Sequence, residues 1–141
     1  MSRIGRPGLH SGYHTGTTVP SFAGMRDHTS LIAWQEAEAV ALGVIDFSKT
    51  NWRPWAAALY WQIQKSSLSV QLNIAEGYAY TKGPTYSKHL RIAYGSAIET
   101  LDLLRTMTKC GAVPEQMTTP LISRCDRSCR LVLGLIRSAR R

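Results

Sequence analysis

The chain has 141 residues, with 17 Lys and Arg against 9 Asp and Glu, a formal net charge of +8. That length fits one domain of the usual ~100–150 residues and excludes a large multidomain enzyme. A hydrophobic content of 44% excludes a wholly disordered chain, and Glu38 and Asp46 interrupt the richest apolar run, Ala37 to Phe47, so no membrane helix is expected.

Residues 1–29 carry Gly5, Gly8, Gly12, Gly16, Gly24, Pro7 and Pro20 and read as a flexible, disordered tail. Glycine is entropically costly in a helix and proline breaks its hydrogen-bond ladder. The tail lacks the apolar core of a signal peptide. His10 and His14 are expected to be solvated rather than metal ligands. Met25 lies just before the ordered pattern, and one hypothesis is that it is the true start; the sequence alone does not decide whether residues 1–24 belong to the native protein.

Residues 30–141 read as a four-helix bundle. The first helix is expected from about Leu31 to Phe47, with Trp34, Ala37, Ala41, Val44 and Ile45 on one side and Thr29 or Ser30 as N-cap. Pro54 suits the first turn of the second helix, which runs to about Tyr80. On a 100° wheel Leu59, Ile63, Val70 and Ile74 share one face. Trp61, Leu68, Leu72 and Ala75 form a second apolar face nearly opposite, separated by Gln62, Gln64, Lys65, Gln71, Asn73 and Glu76. A helix in a monomeric bundle needs only one apolar face. Two predict that the second meets another chain.

The third helix starts near Thr85, after Gly83-Pro84, and ends before Gly111. Tyr86, Leu90, Ala93, Tyr94, Ala97, Leu101 and Leu104 form its core stripe, and Arg91, Asp102, Arg105 and Lys109 face outward. The fourth runs from about Pro114 to Ala139 and buries Leu121, Ile122, Cys125, Cys129, Val132 and Ile136. No segment alternates with period two. The fold class is therefore all-α: an antiparallel up-down four-helix bundle.

The three cysteines, Cys110, Cys125 and Cys129, read as reduced thiols in a cytoplasmic protein. Cys125 and Cys129 lie one helical turn apart and offer two ligands where a structural zinc needs four. The di-iron pattern of helical bundles needs Glu-x-x-His, and none of Glu36, Glu38, Glu76, Glu99 and Glu115 has a histidine three residues on. There is no phosphate loop, HExxH or GxSxG. No metal, no cofactor and no enzymatic activity are expected.

Two clusters remain. Asn73, Glu76 and Gly77, with Gly95, Ser96 and Glu99, combine polar groups with small residues that let two helix backbones approach. They read as a polar network fixing helix register; a catalytic site using Asn73, Glu76 and Ser96 is the alternative. The second cluster is six arginines, Arg124, Arg127, Arg130, Arg137, Arg140 and Arg141, with one acid among them, a local charge of +5. Arg130, Arg137 and Arg141 fall within ~40° on the wheel. Cations at a helix C-terminus gain roughly 0.3–1 kcal/mol each. Arginines without a lysine, however, favour planar phosphate recognition, so this segment is the expected face for nucleic acid or an acidic partner.

Several stretches carry a resemblance: Leu31-Ile32-Ala33-Trp34-Gln35, Gln71-Leu72-Asn73-Ile74-Ala75-Glu76-Gly77, Ile92-Ala93-Tyr94-Gly95-Ser96 with Glu99, and Leu133-Gly134-Leu135-Ile136-Arg137-Ser138. They resemble the four-helix-bundle protein family first noted as reading frames in intervening sequences of bacterial large-subunit ribosomal RNA genes. The resemblance covers about Leu31 to Arg141. It implies a ring-like homopentamer, in accord with the two-faced second helix. Distantly related bundles are accessory proteins of diversity-generating retroelements, which implies nucleic acid and a reverse transcriptase as partners. The expected function is a non-enzymatic, oligomeric basic bundle that binds RNA or DNA through C-terminal arginines. The alternative is a protein-interaction scaffold, such as an accessory subunit of a reverse transcriptase.

Overall fold

The computed structural model describes residues 27–140. The tail through residue 26, with His10, His14 and Met25, lies outside the described residues, as does Arg141. Four helices follow one another: α1 (Ile32–Asn51), α2 (Ala57–Ala79), α3 (Pro84–Lys109) and α4 (Glu115–Ala139). Short 3-10 turns at His28–Ser30 and Pro54–Ala56 precede α1 and α2.

The N-cap expectation is corrected. Leu31 occupies the cap position of α1 and makes no side-chain cap bond. Asp27 caps the preceding 3-10 turn instead, accepting from the Thr29 hydroxyl and, at 2.9 Å, from the Thr29 amide, and these two bonds, the hydroxyl's first, hold its carboxyl below the usual range. A turn already stacked on the helix start competes with the Thr29 or Ser30 cap for the same backbone. Gly83 and Gly111 both have positive φ, 92° and 77°. The first starts α3 and the second follows its end, where only glycine turns the chain without strain.

Neighbouring helices run antiparallel, because contacts between them pair rising with falling residue numbers. Gln62 meets Glu99 and Asn73 meets His89 between α2 and α3. Cys125 meets the Ala97 carbonyl and Thr118 meets Thr108 between α4 and α3. Between α1 and α4, Ala33 meets Ser128 and Asn51 meets Met117. Both α2 and α4 pack on α1 and α3. They therefore occupy opposite corners of the bundle.

The core divides along the axis. One end packs Val44, Phe47, Ile63, Leu104 and Met107 around Tyr60. The other packs Ala37, Val70, Ile74, Leu90, Ala93 and Val132. Tyr60 is buried, and its hydroxyl donates to the Ala112 carbonyl at 2.6 Å and lies 2.9 Å from the Asn51 carbonyl. It thus ties the end of α1 to the α3–α4 turn. The anticipated core faces are the buried ones, with Trp34, Ile45, Leu59, Tyr94 and Ile122 only half-buried.

Candidate nucleic-acid interface

The arginines of α4 divide by partner. Arg124 and Arg127 reach across to α1 and bind the two carboxylate oxygens of Glu36 at 3.2 and 2.9 Å. Glu36 is only 7% exposed. It stands in the apolar stretch of α1 because the helical period turns it towards α4. An unpaired carboxylate there would be costly, and two guanidiniums remove that cost. Arg130 pairs with Asp126 one turn earlier, at 3.0 Å. Arg137 and Arg140 are exposed and, among the described residues, pair with no carboxylate. Arg137 lies in the last turn of α4, where the helix dipole favours a cation.

A concavity of about 530 Å³ lies over Glu36, Arg124, Arg127 and Arg130, with Pro120, Ser123 and Asp126 at its edges. Its floor is a carboxylate already saturated by two arginines. An anion entering there would compete with Glu36.

The second cluster lies in the α2–α3 seam. The Ser69 and Ser96 hydroxyls are 2.8 Å apart. The Asn73 amide donates to the Ser69 carbonyl, and its oxygen is 2.9 Å from His89 Nδ1. Gln62 donates to Glu99. Glu76 is exposed, 3.5 Å from His89, whose ring stacks on Tyr80. Gly77 is buried, and a Cβ there would lie 3.1 Å from His89 Cβ. Gly95 faces solvent with nothing near an added Cβ. The six residues thus do not act alike: five occupy the seam, and Gly95 stands outside it.

The second apolar face of α2 is open. Trp61 is 76% exposed, and Leu68 and Leu72 are exposed about two and three turns further along the same helix. Ile92 and Ile98 flank Gly95 on the outside of α3. Cys125 and Cys129 are buried. The hydrogen bond between the two thiols, with burial, pushes the Cys125 thiol well above its usual range. Among the described residues no group of three His, Cys, Asp or Glu side chains could hold a metal ion. No helix there is long and apolar enough to cross a membrane.

Sequence reasoning missed Glu36 as the anchor for two arginines. The available signal was an acid on the buried side of α1, next to Ala37. It also missed His89 as the hub of the seam. Residues 29–134 match the family model described as 23S rRNA-intervening sequence protein. The matched region spans α1 to α3 and most of α4 and stops before Arg137. No curated protein matches the chain.

Proposed function

The chain belongs to the 23S rRNA-intervening sequence protein family, and from that membership and the layout of its faces we propose a non-enzymatic, oligomeric bundle that binds RNA or DNA. The observation that supports this most is the opposition of two outward faces. The corner formed by α2 carries exposed Trp61, Leu68 and Leu72. The opposite corner, α4, carries the exposed arginines of its C-terminal end. Apolar side chains in such a patch gain roughly 25 cal/mol per Å² when covered. Covering α2 with further copies leaves α4 open.

A ring of five copies, as the family resemblance implies, places five such basic surfaces on one particle. Each protomer contributes +8, so the field and the avidity for a polyanion both rise with assembly. Three free thiols suit a cytoplasmic setting.

The test is anisotropy of a fluorescein-labelled 20-nucleotide RNA and its DNA duplex, titrated with full-length protein at several salt concentrations. Binding should be insensitive to sequence and weaken linearly in log–log form, by about 0.9 per phosphate neutralised on duplex DNA. Affinity that does not change with salt, or no binding at low salt, contradicts the proposal.

A further inference from the structure

The nucleic-acid reading leaves open where phosphates sit. Resting on that reading, we propose that they are held in the α3–α4 groove, at the end of the bundle bearing the α2–α3 loop. Lys88 and Arg91 of α3 hold them there together with Arg137 and Arg140 of α4. Arg124 and Arg127 take no part.

The register of the two helices brings these residues together. Tyr86 lines a small cavity of about 280 Å³ with Ser138 and Ala139, and further along the groove Cys125 meets Ala97 at 3.3 Å. Between those two levels, Arg91 stands opposite the turn of α4 that leads into Arg137. The direction of each flank follows from known partners. On α3, His89, Ser96 and Thr100 turn towards α2. Arg91 falls on the other side of the outer face, towards α4. On α4, Arg124 turns towards α1. Arg137 falls on the far flank from it, towards α3.

The electrostatics favour an external anion. Among the described residues, none of Lys88, Arg91, Arg137 and Arg140 forms an ion pair. On the outer face of α3, Lys88 and Arg91 line a shallow concavity of about 560 Å³ with Pro84, Ile92 and the hydroxyl-bearing Ser87. Lys82 lines the cavity beside Tyr86 and adds to the same positive end. Unpaired cations brought together from separate helices repel one another, and a phosphodiester relieves that repulsion while accepting guanidinium hydrogen bonds. Arg124 and Arg127 are in the reverse position. To take a phosphate they must leave a buried carboxylate unpaired.

The test uses the full chain and the same labelled 20-nucleotide RNA. For single strands each phosphate contact contributes about 0.7 to the log–log salt slope. Arg91→Gln/Arg137→Gln/Arg140→Gln should lower the slope by about 2 (about 0.7 for each of three contacts) and weaken binding at least tenfold at low salt. Arg91→Gln alone, on an exposed helix face, should lower the slope by about 0.7. Glu36→Gln/Arg124→Gln/Arg127→Gln removes the buried acid with both of its partners and should leave the slope unchanged. A wild-type slope in the triple Arg91 variant, or a reduced slope in the Glu36 variant, overturns the site while leaving nucleic-acid binding intact. Wild-type protein that fails to bind the RNA at low salt overturns both.

Discussion

Glu36 and Arg127 form a 2.9 Å ion pair between α1 and α4, with the acid nearly buried and the base more than half exposed. Arg124 takes the other oxygen at 3.2 Å. This asymmetry decides what the pair is worth. Solvent screens the arginines, so their contribution is smaller than that of a fully buried pair. The carboxylate, by contrast, has nowhere else to turn. Arg124→Gln/Arg127→Gln should therefore destabilise the fold by about 1–3 kcal/mol. Adding Glu36→Gln to that pair should recover part of the loss, because no buried charge is then left unpaired. Urea denaturation followed by far-ultraviolet circular dichroism measures both. Equal stability of the double and triple variants contradicts the clamp.

Tyr60 predicts an alkaline limit. Burial raises its phenol pKa above the ordinary value of 10.0, against a small opposing effect from Arg53. The neutral form is thus favoured by folding. The stability this confers is complete below the unfolded value and is lost as pH rises through the folded one. Tyr60→Phe removes the bond to Ala112 and the contact with Asn51 and should cost about 1–2 kcal/mol at neutral pH. It should also flatten the fall in stability above about pH 10. A variant as stable as wild type at neutral pH, with the same alkaline decline, rules out this role.

Two glycines of the same motif should respond in opposite ways. Gly77 lies against the His89 Cβ and the Tyr86 carbonyl, so Gly77→Val should cost about 1–3 kcal/mol by overpacking the seam. Gly95 is open, and Gly95→Ala should stabilise the isolated fold by about 0.5–1 kcal/mol through helix propensity. If α3 also meets a neighbouring copy there, the same methyl group should lower the oligomer's association constant. Thermal melts at several protein concentrations separate the two effects. A destabilised Gly95→Ala monomer contradicts the solvent-facing placement.

The outer face of α2 should be dispensable for folding and required for assembly. Leu68→Asp/Leu72→Asp alters only exposed positions and should leave helix content near wild type, with melting lowered only by the loss of assembly. Light scattering after size exclusion should then report monomer, in contrast to the wild-type chain. Loss of helix content in this variant assigns the two leucines to the core instead.

Helical faces were legible in sequence because burial follows the 3.6-residue period. The inward stripe of α3 and the outward Trp61–Leu68–Leu72 face both came from spacing alone. The pairings were not legible. Glu36 and Arg127 stand 91 positions apart, and their meeting depends on which helices are neighbours and at what level. The same holds for Asn73 with His89. The arginine run looked uniform in sequence. Packing splits it, because Arg124 and Arg127 meet a buried acid on α1 while Arg137 and Arg140 pair with no carboxylate among the described residues. The N-cap expectation failed for a local reason, since a 3-10 turn occupies the residues that would have capped α1.

The central claim is that one face holds copies together while the opposite one holds a polyanion. Sedimentation velocity of the wild-type chain with the labelled 20-nucleotide RNA at low salt tests both parts at once. The expected result is an oligomer that carries the RNA with it as a single faster boundary. A monomer, or an oligomer that sediments away from free RNA, contradicts the claim.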